Sequence, residues 1–172
     1  NNTCLQALRF DELFANLLLG IDNMKKFLLL SLLPFTAMAA PSLKGFEKTY
    51  QDWSLICDNT GTCNMAGYPE YYSEHPVSIL FTRSAGEKAP VTAQLALLRE
   101  DVGNKTAEII LNGQSLGTIQ NFSEEGNAKL SEKQTTELLT ALKGNASIEV
   151  VFGEFKEKVS DKGAAAAMLK MD

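Results

Sequence analysis

Tyr50-Gln-Asp-Trp-Ser-Leu-Ile-Cys-Asp-Asn-Thr-Gly-Thr-Cys63 is the stretch on which the fold turns. Trp53, Leu55 and Cys57 alternate with Asp52, Ser54 and the more apolar Ile56, so Tyr50–Cys57 reads as one mostly buried strand. Asp58-Asn-Thr-Gly-Thr62 has the chemistry of a tight turn, and Cys63 to Gly67 is expected to return antiparallel. The two cysteines would then face each other across a hairpin.

Outward from this hairpin, period-2 patterns recur. Val77–Arg83 and Val91–Arg99 are strand candidates separated by the polar loop Ser84-Ala-Gly-Glu-Lys-Ala-Pro90. Ala107–Leu111 and Ser115–Ile119 flank Asn112-Gly113, whose tolerance of positive φ suits a type I′ turn. The period then changes. Ser131-Glu-Lys-Gln134 is a capping-box pattern, Leu138, Leu139 and Leu142 recur at helical spacing, and Gly144 is expected at the C′ position. Ser147–Phe152 is again strand-like, and Glu154–Lys158 reads as polar connection. Ser160 is expected to cap a last helix running through Gly163-Ala-Ala-Ala-Ala-Met-Leu-Lys170.

These elements predict a mainly β, α+β fold: an antiparallel β-sandwich or open barrel of about seven strands, with one packed helix and a C-terminal helix. Most connections are too short for parallel crossovers.

The segment before this domain reads differently. Met24-Lys-Lys26, the apolar run Phe27–Phe35 and Thr36-Ala-Met-Ala-Ala40 occur in the order of a secretory signal peptide, here 24–39, with an A-x-A cleavage site. The apolar run is shorter than the roughly 20 residues a bilayer span needs. Residues 1–23 are expected to be an upstream translation artefact or disordered extension, with an amphipathic helix through Leu5, Leu8, Leu13 and Leu17 as the alternative. The expected organisation is therefore a signal at 24–39 and one β-rich domain at 40–172, truncated at its C-terminus. The expected location is periplasmic or secreted, with no stable membrane span after cleavage.

Removing the leader removes Cys4 and leaves Cys57 and Cys63 as an even pair, expected to be disulfide-bonded. Their small loop is worth only about 2 to 2.5 kcal/mol in chain entropy. A redox role is the weaker alternative, because five residues separate the thiols. The formal net charge of −5 and the lack of a Lys/Arg stripe speak against nucleic acid as a partner.

Several fragments together resemble a family of bacterial exported proteins of unknown function, DUF 1176. They are the opening stretch with Gly67-Tyr68, Pro76-Val-Ser-Ile-Leu-Phe-Thr-Arg83 with Ala85-Gly86, Leu111-Asn-Gly-Gln-Ser-Leu-Gly-Thr118, and Ser160 to Asp172. The order Trp53, Cys57, Cys63, strands, a helix through Leu138-Leu-Thr-Ala-Leu-Lys-Gly144, a strand and a helix opening on Ser160-Asp-Lys-Gly163 more distantly resembles the invasion-associated locus B family. The resemblance to the first family implies no catalytic residue.

Chemistry-bearing residues are sparse. His75 is the single histidine, and Ser73 and Ser78 lie too near in sequence to be natural triad partners. Glu70, Glu74 and His75 are conceivable metal ligands, but no metal or other cofactor is expected. Tyr68-Pro-Glu-Tyr-Tyr-Ser-Glu-His-Pro76 holds three of the four tyrosines. Tyr68, Tyr71, Tyr72 and His75 thus form a candidate binding loop; alternatively the rings cover the sheet end beside the disulfide hairpin. The sequence points to a non-catalytic envelope module that binds a protein or glycan, with a hydrolase around His75 or a thiol-redox protein as the alternative.

Overall fold

A computed structural model describes residues 44–86, 88–97 and 106–172. The expected signal at 24–39, Cys4, the first 23 residues and the end of the strand expected to reach Arg99 lie outside the described residues.

Among the described residues, ten strands and two helices follow in order: β1 Phe46–Tyr50, β2 Trp53–Cys57, β3 Cys63–Gly67, β4 Val77–Arg83, β5 Val91–Leu97, β6 Ala107–Leu111, β7 Gln114–Ile119, β8 Asn127–Lys129, α1 Glu132–Ala141, β9 Ile148–Phe152, β10 Phe155–Val159 and α2 Ala164–Met171. The strands form two sheets, ordered β1-β2-β3-β4-β5-β8 and β10-β9-β6-β7. Every recorded pairing is antiparallel.

Alternation along each strand decides the inner faces. Trp53 and Leu55, Met65, Ile79 and Phe81, and Leu95 point inward from the first sheet; Ile109, Ile148, Val150 and Phe152 do so from the second. Together they make one apolar core between the sheets. The architecture is a β-sandwich and not a closed barrel.

The helices extend the same core. In α1, Ser131 Oγ accepts from Gln134 N (3.2 Å) and Gln134 Oε1 accepts from Ser131 N (2.9 Å), completing the expected capping box. Gln134 Nε2 also donates to Leu116 O of β7 at 3.2 Å, while α1 packs on β5, so one helix contacts both sheets. Helix α2 lies on β1, β2 and β3. Ala164, Ala167, Met168 and Met171 face the sheet, whereas Ala165 and Ala166 are exposed. The small buried alanines let the helix axis approach closely.

The strand count exceeds the expected seven because three strands carry weak patterns. Strand β1 splits from β2 at Gln51, whose φ of 52° makes a tight reversal without glycine. Strand β8 is only three residues long. Strand β10 falls in the stretch read as polar connection: Lys156 and Lys158 point outward from an edge strand, an arrangement that discourages further pairing. Two caps also differ. Helix α1 ends with Leu142 as C-cap in a right-handed conformation, not with Gly144 at a left-handed C′. Gly163, not Ser160, is the N-cap of α2.

Candidate functional site

Trp53 and Gly67 are cross-strand partners, and the indole lies over the glycine so closely that a Cβ there would fall 2.3 Å from Trp53 Cζ2. Trp53 Nε1 donates to Ser160 O at 2.8 Å, which joins the first sheet to the segment leaving β10. Ser160 N in turn donates to Tyr68 O (3.0 Å), and Tyr68 N to Asp52 O (3.1 Å). Ser160 Oγ donates to Asp52 Oδ2 at 2.6 Å and accepts from Lys162 N at 3.1 Å. Its hydroxyl therefore closes the β1–β2 turn instead of capping α2.

This network fixes one end of the tyrosine segment. Glu70 adds an ion pair with Lys162. That bond holds the Glu70 carboxyl below its ordinary range, partial burial opposes it, and Tyr71 adds a smaller lowering. Lys162 is raised by the same hydrogen bond to Glu70. At the other end, His75 N donates to Ser73 Oγ at 3.0 Å, and the imidazole packs 3.8 Å from the Phe155 ring at 51°. His75 is half-buried against the second sheet.

Between these anchors the loop borders an open cleft of about 820 Å³. Tyr71, Tyr72 and His75 form one wall; Glu149, Lys156, Glu157 and Lys158 form the other. Tyr71 is 78% exposed and Tyr72 97%, so neither ring covers the sheet. Across the floor, Glu149 pairs with Lys156 at 2.6 Å and lies 3.9 Å from Lys158. The cleft thus offers two aromatic surfaces beside a charged lining in which Glu70, Glu74, Glu149 and Glu157 outnumber Lys156 and Lys158. Glu149 and the β10 lysines were invisible as site residues in the sequence, since only the packing of β10 beside the loop brings them there.

The cleft and the disulfide lie at opposite ends of the β2–β3 pair, because Trp53 pairs with Gly67 and Cys57 with Cys63. Cys57 and Cys63 are bonded, with S–S 2.03 Å, and both are buried. The turn between them is organised by Asp58, whose Oδ1 accepts from Thr60 Oγ1 (2.6 Å), Thr60 N (2.8 Å) and Thr62 N (3.0 Å). The Thr60 hydroxyl bond is the main cause of the lowered Asp58 carboxyl.

Ser73 Oγ accepts from the backbone of His75, and Glu70 is engaged by Lys162. Among the described residues, no cluster of three or more His, Cys, Asp or Glu side chains could hold a metal. No helix among them is long and apolar enough to cross a membrane.

A family model described as a protein of unknown function (DUF1176) matches residues 47–172. No curated protein and no solved structure matches the chain.

Proposed function

The chain belongs to the DUF1176 family of proteins of unknown function, and from that premise we propose that it is an exported, non-catalytic envelope module that binds a protein or glycan through the tyrosine cleft. The observation that carries this reading is the exposure of Tyr71 and Tyr72 on a loop pinned at both ends by Ser160, Lys162 and Phe155. Tyrosine supplies broad apolar area with few rotors and a polar tip, so little conformational freedom is lost when such a ring is covered. A loop already anchored lowers that cost further.

Export rests on the succession of charged, apolar and small residues in the sequence at 24–39 and agrees with a disulfide in the mature domain. The periplasm or the cell exterior is the proposed location.

Two measurements test the proposal. N-terminal sequencing of the protein recovered from the envelope fraction should begin at Ala40; recovery only from the cytoplasm would refute export. A Tyr71→Ala/Tyr72→Ala double variant should keep the wild-type melting temperature while losing the partner cross-linked to wild-type protein in that fraction. An unchanged cross-linking pattern would refute the assignment of the cleft.

A further inference from the structure

A second cleft, of about 580 Å³, lies at the β5–β8 margin of the six-stranded sheet. Gln94, Gln120, Asn121, Ser123, Asn127 and Lys129 line it. Register explains how they meet. Gln94 pairs with Lys129 and Ala96 with Asn127, while Leu95 and Ala128 turn into the core. Gln94, Asn127 and Lys129 therefore share the outer face. The connection from β7 brings Gln120 and Asn121 beside them, with Asn121 at a φ of 60° that asparagine tolerates better than most residues.

Four carboxamides meet in this one cleft. Outside it, Gln134 bonds Ser131 and Leu116, Asn112 Oδ1 accepts from Ser147 N, and Asn64 Oδ1 accepts from Thr82, whereas Gln51, Asn59, Gln114 and Asn145 stand singly, without a side-chain hydrogen bond. Among the described residues, no hydrogen bond engages the side-chain amides of Gln94, Gln120, Asn121 or Asn127. Four groups, each able to donate and accept, thus converge with their capacity unspent.

The backbone beneath them is held in place. Ser123 N donates to Asn127 O (2.8 Å), Gly126 N to Ser123 O (3.0 Å) and Leu97 N to Gly126 O (2.9 Å). Ser123 Oγ accepts from Asn127 N at 3.3 Å.

We propose that this carboxamide-lined cleft binds a neutral, hydroxyl-rich oligosaccharide. Paired sugar hydroxyls each present a donor and an acceptor, the complement of a carboxamide. The lining contains no carboxylate to hold a cation and a single ammonium, Lys129, too little for a phosphate clamp. An added peptide strand is disfavoured because the Asn127 carbonyl already accepts from Ser123. The site is separate from the tyrosine cleft and does not depend on it.

The test is titration of the ¹⁵N-labelled full chain with the hexasaccharides of glucose and of N-acetylglucosamine, read at side-chain amide resonances. At least one sugar should saturably shift the signals of Gln94, Gln120, Asn121 and Asn127. Gln120→Ala, at an exposed position, and Asn127→Ala should each weaken that binding about tenfold with an unchanged fold, consistent with loss of a hydrogen-bonding amide. The Tyr71→Ala/Tyr72→Ala variant should bind the sugar as wild type does. Absence of a saturable shift with both sugars at millimolar concentration, shifts confined to the tyrosine loop, or stronger saturation of the same signals by an unstructured Gly-Ser peptide would each overturn the proposal.

Discussion

Gly163→Ala should destabilise the protein far more than Gly117→Ala, although both glycines have a φ of +92°. A left-handed conformation costs an L-residue about 1–2 kcal/mol, and that component is common to the two sites. Around Gly117 an added Cβ meets nothing within 4 Å. At Gly163 it would lie 1.9 Å from Tyr50 O and 2.6 Å from Tyr50 C. Relief requires moving the start of α2 away from the end of β1 by roughly 1 Å, a shift of the kind that costs overpacked sites about 1–3 kcal/mol. The same movement loosens Asp52 N from Lys162 O, 3.3 Å apart. Gly163→Ala should therefore lose about 2–5 kcal/mol and Gly117→Ala about 1–2 kcal/mol. At about 4 °C per kcal/mol, their melting temperatures should differ by roughly 4–12 °C. Urea and thermal unfolding followed by circular dichroism would measure both. Equal losses would refute the claim that α2 is docked to β1 through a backbone contact only glycine permits.

Reducing the disulfide, or replacing Cys57→Ser with Cys63→Ser, should leave the β-rich circular dichroism spectrum intact and lower stability by about 2 kcal/mol, as expected for closing so short a loop; unfolding at ambient temperature would contradict the role of a local staple. The Glu70–Lys162 pair gives a signed pH dependence. Because the Glu70 carboxyl is depressed, its contribution is fully present above its ordinary value of 4.5 and is lost as pH falls through the lower folded value. Because Lys162 is raised, its contribution is present below 10.5 and disappears as pH climbs through the higher folded value. Glu70→Gln should flatten the acid limb of the melting-temperature profile below the carboxyl's ordinary value of 4.5; an identical limb in the variant would show that the pair is not formed in solution.

The strong local signals in the sequence led to correct elements. Val77–Arg83 alternates cleanly because one face is core, and Asn112-Gly113 forms its hairpin with positive φ at both residues. The capping box around Ser131 reads equally well, since both of its hydrogen bonds are made within four residues. Weakness begins where burial is one-sided or the element is short. Phe46–Tyr50 and Phe155–Val159 are edge strands with outward charges, so their alternation resembles that of a loop. Ser160 looks like a helix cap by position, but its hydroxyl answers to Asp52, 108 residues away. The concentration of tyrosines at 68–72 was legible as a candidate surface. Its opposing wall, Glu149 to Lys158, depends on sheet packing that no local pattern encodes, and the same holds for the carboxamides gathered from β5, β8 and the β7–β8 connection.

The bond from the Trp53 indole to the Ser160 carbonyl bridges 107 positions of sequence. In a polypeptide emerging from its N-terminal side, this largest of the core rings is synthesised well before its acceptor, which follows 107 positions later. The second sheet is likewise incomplete until β9 and β10 have appeared. Closing such remote partners is a slow entropic event. Strands β1 to β4 have neighbours close in sequence and can pair as they emerge, but the clasp on the Trp53 indole has to wait for Ser160.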